Sequence, residues 1–154
     1  MKLLDFLDEN HIVIDLGPCD KNGALNCLVE KAAEVVTELE SQSVLQVILE
    51  REELGSTGIG GRVAIPHGKL PQLRRMSIFV GKSREGVEFD SIDNLPVNII
   101  FLLLAPDDSA TIYLKVLARV SKMLKKDGAI DKLLNVNTCK EMLEIIEEMD
   151  SLSP

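Results

Sequence analysis

The chain has 154 residues, of which 45% are hydrophobic and 27% charged, and its formal net charge at pH 7 is −8. That length supports one ordinary domain with a hydrophobic core, and the composition is that of a soluble globular protein rather than a disordered one. The acidic balance argues against nucleic acid, whose phosphates demand a basic face, and suits a protein partner with a basic patch.

Aromatic residues make up only 3% of the chain, so aliphatic side chains must carry the core. The longest uninterrupted apolar run, residues 99–105, is far too short to span a bilayer. Asp5 follows the start too closely for a signal peptide, and no direct membrane insertion is expected. The three cysteines, Cys19, Cys27 and Cys139, lack metal-binding spacing. They read as reduced, buried thiols in a cytosolic protein.

In chain order, residues 12–16 form a short apolar stretch ended by Gly17-Pro18. Leu25, Leu28, Val29, Ala32, Val36 and Leu39 then follow the three-and-four spacing of one buried helix face. Ser43-x-x-Gln46 matches a capping box and predicts a second helix from Ser43, with Val44, Val47 and Ile48 inward. Residues 55–61 carry four glycines in seven positions and read as a loop. Val63-Ala64-Ile65 is a short strand stopped by Pro66. Residues 76–81 alternate as a strand, 87–89 form another, and 97–104 are apolar on both faces, as a central strand requires.

Asp107 and Asp108 are placed to cap a helix whose stripe is Tyr113, Val116, Leu117, Val120 and Leu124. A short helix follows around residues 130–134. The last opens at the capping box Thr138-x-x-Glu141 and buries Met142, Ile145, Ile146 and Met149, with the acidic residues of 144–150 in solvent. Strands interleaved with helices give an α/β layered domain, with helices covering a mostly buried sheet.

Candidate chemistry is concentrated in residues 51–69, REELGSTGIGGRVAIPHGK. Arg51 can neutralise an anion with its guanidinium fork. Gly58, Gly60 and their neighbours let backbone N–H groups approach a phosphate. Ser56 and Thr57 offer hydroxyl donors or, equally, act as turn residues bonding their own backbone. His67, between Pro66 and Gly68, is the group's one good nucleophile at neutral pH. The other histidine, His11, reads as solvated. The glycines fit neither common nucleotide motif. Gly61-Arg62 stands where a P-loop needs Lys-Ser/Thr, and the third glycine of a dinucleotide fingerprint is missing.

The segments 51–60 (REELGSTGIG) and 64–69 (AIPHGK), with 101–106 (FLLLAP), resemble the signature of the fructose/mannitol-type IIA domains of the bacterial phosphotransferase system. The resemblance covers essentially the whole chain and looks nearest to the nitrogen-related, regulatory IIA proteins. It implies a single domain over residues 1–154, with a mixed sheet of about five strands and helices on both faces. It also implies that His67 takes a phosphoryl group on Nε2 from an HPr-like carrier, with Arg51 stabilising the phosphate charge.

One position departs from the pattern. The resemblance places a second histidine early in the helix after 101–106, and Tyr113 stands there. Its hydroxyl can donate one hydrogen bond but supplies no positive charge. As a member of the helix's apolar stripe, Tyr113 could equally serve packing. Arg62 is a candidate to compensate in part.

Three roles follow from the resemblance: a regulatory phosphocarrier, a sugar-uptake component handing phosphate to a IIB domain, or a regulator that works by docking alone. The transfer from an HPr-like carrier to His67 needs no metal, nucleotide or other cofactor, because donor and acceptor are both imidazoles. The sequence does not fix an oligomeric state or name a downstream target.

Overall fold

The computed structural model describes residues 1–152. Two short 3-10 turns, Leu3–Asp5 and Glu9–His11, lead into strand β1 (Ile12–Val13). Helices α1 (Lys21–Val35) and α2 (Ser41–Glu53) follow, then strands β2 (Gly58–Gly60), β3 (Val63–Ala64), β4 (His67–Lys69), β5 (Ser77–Val87) and β6 (Val97–Ala105). Helices α3 (Ala110–Leu124), α4 (Ala129–Leu134) and α5 (Cys139–Ser151) complete the chain.

The strands form one mixed sheet in the order β1-β5-β6-β3-β2, with β4 also paired to β6. β5 and β6 are antiparallel, whereas β1 runs parallel to β5. β3 and β4 lie one after the other along the same side of β6, both parallel to it. Val63 is opposite Ile99, and His67 opposite Leu103.

Every residue of β6 is buried. A strand sends alternate side chains to opposite faces, so the apolar run 99–105 can feed two cores at once. Ile99, Phe101, Leu103 and Ala105 pack with the buried faces of α3, α4 and α5. Ile100, Leu102 and Leu104 pack with Leu25, Leu28 and Val29 of α1 and with Val44 and Ile48 of α2. The expected α/β architecture, with helices on both faces of a mixed sheet, is the one observed.

The sheet has six strands rather than five. The predicted strand 76–81 and the start of 87–89 join into the single β5. The polar stretch 83–86 bulges out between the pairs Lys82–Ile99 and Val87–Val97, turning at Gly86 (φ 90°), and the chain then rejoins β6. Two strands arise inside segments read as loop or connector. β2 forms a hairpin with β3, and β4 adds to β6 directly after Pro66.

Helix starts also differ in part. α2 begins at Ser41 because Glu40, not Ser43, caps it, accepting from the N–H groups of Gln42 and Ser43. At α3 the N-cap residue is Ser109, with its hydroxyl turned back to the Pro106 carbonyl at 2.6 Å, and neither Asp107 nor Asp108 is the cap. Thr138 caps α5 as its sequence requires, accepting from Glu141 N–H. Leu39 is buried but lies beyond α1, and Ile145 is only partly buried. The three thiols are partly exposed rather than buried.

Two polar residues expected in solvent are inside. His11 stacks on Phe79, with ring centroids 4.5 Å apart, and its Nδ1 meets the Ile78 carbonyl at 2.9 Å. Asp150 is buried at the end of α5, where it accepts from Leu3 N–H at 2.8 Å and pairs with Arg119.

Candidate functional site

A missing side chain sets the geometry of the site. A Cβ on Gly68 would lie 3.0 Å from both Val47 Cγ1 and Ile48 Cδ1, so only glycine lets α2 lie this close to β4. Residues three and four apart share a helix face. Arg51 therefore continues the face of Val47 and Ile48 and meets the residue just before Gly68. Its Nε–H donates to Nε2 of His67 at 3.1 Å, and its Nη1 donates to the Gly55 carbonyl at 2.8 Å. Gly68 thereby brings the arginine onto the imidazole.

The two hydrogen bonds of His67 define its proton. A guanidinium has no lone pair, so Nε2 must accept from Arg51. The ring proton then sits on Nδ1, which donates to the Ile65 carbonyl at 3.1 Å. The half-buried ring is thus a neutral imidazole whose free electron pair lies on Nε2. Burial pushes its pKa below the ordinary 6.5; the Ile65 hydrogen bond and Glu52 pull upward, while Arg51 adds to the depression.

Tyr113, near the start of α3, completes the wall. Its ring centroid is 5.3 Å from that of His67, tilted by 51°. Its hydroxyl oxygen is sealed from solvent and has no hydrogen-bond partner among the described residues. Burial pushes the phenol up to about 12, against a downward pull from Arg51, so the hydroxyl remains protonated across the physiological range. Arg51, His67 and Tyr113 come from three separate elements and meet at one point.

The glycine loop is not gathered at that point. Ser56 donates its hydroxyl to the Phe89 carbonyl at 2.6 Å, and the Thr57 hydroxyl donates to Glu52. Each has spent its single proton inside the protein. Gly58 N–H donates to Ser56 Oγ at 3.0 Å, and a Cβ on Gly58 would meet Ser91 Oγ at 2.5 Å. Gly60, at φ 92°, turns the chain against Ile92 and Asp93. The glycines thus serve a β-hairpin packed under residues 91–93. Arg62 is also elsewhere, bonded to Asp131 at 3.0 Å.

Glu52 and Lys21 were not singled out by sequence. Glu52 is 8% exposed and accepts from Thr57 N–H at 3.1 Å and from the Thr57 hydroxyl. Lys21 Nζ pairs with it at 3.0 Å and lies 4.7 Å from the centre of the Phe89 ring. One signal was available: a carboxylate in the last turn of a helix opposes the macrodipole and calls for a compensating partner.

Residues 5–149 match the family described as phosphoenolpyruvate-dependent sugar phosphotransferase system, EIIA 2. The chain is 38% identical over 133 residues to a nitrogen regulatory protein of Bradyrhizobium diazoefficiens, covering 86% of each chain. It is 41% identical to a nitrogen regulatory protein of Klebsiella oxytoca, covering 85% of this chain and 81% of that one. The crystal structure of nitrogen regulatory protein IIA-Ntr from Neisseria meningitidis superposes with a TM-score of 0.86 at 30% identity, covering 92% of this chain and 97% of the other.

Proposed function

The chain belongs to the EIIA 2 family of the phosphoenolpyruvate-dependent sugar phosphotransferase system, a phosphoryl-transfer component acting as phosphocarrier or regulator, and we propose that His67 Nε2 is its phosphoryl acceptor. The observation that carries this reading is the pair of hydrogen bonds on His67. Arg51 marks Nε2 as the nitrogen with the lone pair, and Ile65 holds the proton on Nδ1.

The reaction needs no proton movement at this site. The Nε2 lone pair attacks the phosphorus of a phosphohistidine on an HPr-like carrier. The donor's phosphorus–nitrogen bond breaks, and its electron pair returns to the donor imidazole. The phosphorylated His67 ring keeps its Nδ1 proton and becomes cationic, which strengthens the hydrogen bond to the Ile65 carbonyl. Arg51 must release Nε2 as the new bond forms, and its guanidinium is then beside the phosphoryl oxygens. Phosphoryl transfer depends mainly on positioning and charge neutralisation, and Arg51 supplies both.

Tyr113 supplies a neutral donor where the resemblance places a second histidine. Its hydroxyl, without a partner among the described residues, is available to a phosphoryl oxygen. The Ser56 and Thr57 hydroxyls, with Gly58 and Gly60, hold the hairpin rather than the phosphate. The nitrogen regulatory names of the relatives at 38% and 41% identity favour the regulatory branch over sugar uptake. Phosphorylation adds strong negative charge to this face and so changes which protein surface it accepts. A cytoplasmic location agrees with this role, and no helix among the described residues is long and apolar enough to cross a membrane.

The test is incubation with enzyme I, an HPr-like carrier and phosphoenolpyruvate, followed by intact-mass measurement at mildly alkaline pH. The expected result is one added phosphate on the parent and none on His67→Ala. No gain with several carriers, while a known IIA protein is labelled, would leave docking alone as the chain's mode of action.

A further inference from the structure

We infer that Glu52, anchored by Lys21, is a positioning residue for His67 and acts on it through a buried hydrogen-bond relay across Thr57 and Ile65. This rests on His67 being the acceptor.

Every link of the relay is present. Lys21 Nζ pairs with Glu52 at 3.0 Å. Glu52 receives both the N–H and the hydroxyl of Thr57, one on each carboxylate oxygen. The Thr57 carbonyl then accepts from Ile65 N–H at 3.0 Å. The Ile65 carbonyl accepts from His67 Nδ1 at 3.1 Å. The line runs from the first residue of α1, through the last turn of α2, to the strand junction that carries the imidazole.

Three features separate this line from ordinary packing. Glu52 and Thr57 are 8% and 5% exposed, so carboxylate and hydroxyl are both shielded from bulk water. A buried carboxylate is costly unless fully satisfied, and here two N–H or O–H donors and one ammonium satisfy it. The relay also ends on Nδ1, the nitrogen that is not phosphorylated. Its effect is therefore to fix where the ring sits and which nitrogen keeps the proton, as the orienting carboxylate does in other histidine-based sites. In the phosphorylated ring, the same carbonyl faces the cationic Nδ1–H, so the relay holds both states of the site.

Displacing a nucleophile by about 1 Å can cost on the order of 10²-fold in rate. Thr57→Val removes one link while keeping the shape, and Thr57→Ser keeps the link. Thr57→Val and Glu52→Gln are expected to lower the turnover rate of phosphoryl acceptance by roughly 10- to 100-fold, with the KM for the phosphorylated carrier unchanged, because both residues are buried and reach the imidazole only through Ile65. Thr57→Ser should restore the rate to within about twofold.

A second readout needs no donor: the side-chain nitrogen resonances of His67 in the 15N-labelled full chain, identified by their loss in His67→Ala. The parent and Thr57→Ser should show the same Nδ1–H resonance, while Thr57→Val and Glu52→Gln should shift it as the hydrogen bond to the Ile65 carbonyl loosens. Unchanged turnover and an unchanged Nδ1–H resonance in Thr57→Val and Glu52→Gln would overturn the relay. A parent chain that takes no phosphate would instead overturn the acceptor role of His67, and the nitrogen spectra would still decide the relay.

Discussion

Arg51 donates its Nε–H at 3.1 Å to Nε2 of His67, the ring nitrogen that carries the lone pair. In the unphosphorylated protein the arginine therefore covers the nucleophile, and phosphorylation must move it from nitrogen to phosphoryl oxygen. One cation thus serves as a tautomer lock before transfer and as a charge partner after it. Arg51→Ala removes both, and Arg51→Lys keeps charge but not the fork. A hydrogen bond to a charged group contributes about 1.5–3 kcal/mol, so Arg51→Ala should slow phosphoryl acceptance by roughly 10- to 150-fold. Arg51→Lys should fall between, as read by the initial rate of mass gain.

The depressed pKa of His67 gives acceptance a definite pH dependence. Protonation removes the lone pair, and because burial and Arg51 hold the value below 6.5, the rate should stay flat through neutrality and fall only in acid. Arg51→Ala relieves one cause of the depression, so the fall should begin at higher pH. Stability carries the same sign. The unfolded histidine binds its proton at higher pH than the folded one, so stability rises with pH between the depressed folded value and about 6.5. A nitrogen titration of His67 and a set of denaturant melts across that window check both, and His67→Gln should flatten the stability slope.

The legible parts of the fold were those whose pattern is local. Residues 99–105 announce a doubly buried strand by being apolar throughout, and the stripe from Val116 to Leu124 marks α3 by its spacing. Arg51 and His67 were readable as a pair because one contiguous motif holds both. What could not be read is which distant backbone claims a side chain. His11 is bound by the Ile78 carbonyl 67 residues away, and Asp150 by Leu3 N–H 147 residues away. The glycine loop was ambiguous for a related reason. Glycines that permit an anion nest equally permit a tight hairpin, and the turn at Gly60, Gly61 and Arg62, all with positive φ, uses them for the hairpin. Glu52, beside the arginine that was singled out, was passed over because its partners Lys21 and Thr57 lie on α1 and in the loop.

The buried Asp150 ties the two ends of the described chain together, and its loss should destabilise the fold without touching the site. Its side chain is 4% exposed, against 23% for Arg119. Asp150→Ala strands the guanidinium and the Leu3 N–H at once. Breaking such a buried pair costs about 3 kcal/mol, a fall in melting midpoint of roughly 10 °C for a chain of this size. Calorimetry checks the size of the fall, and phosphoryl acceptance per folded molecule should remain that of the parent. A midpoint within about 2 °C of the parent would show that the pair adds little.

Tyr113 should show stability and activity moving in opposite directions. Its hydroxyl oxygen is sealed from solvent and has no partner among the described residues, and a buried polar group in that state costs about 1–3 kcal/mol. Tyr113→Phe removes the cost, so the unphosphorylated protein should melt higher. The same change removes a donor from the phosphoryl group, so acceptance should slow by about 10-fold or more. Packing alone would predict no rate change, since the ring is retained. Tyr113→His adds a group whose charge varies near neutrality, whereas the phenol, pushed up to about 12, stays a neutral donor throughout. Acceptance by Tyr113→His should therefore gain speed as pH falls from 8 toward about 6.5, over a range where the parent stays flat. Melting midpoints and initial rates measured on the same three proteins decide the matter. A Phe variant that is neither more stable nor slower would make Tyr113 a wall of the site and nothing more.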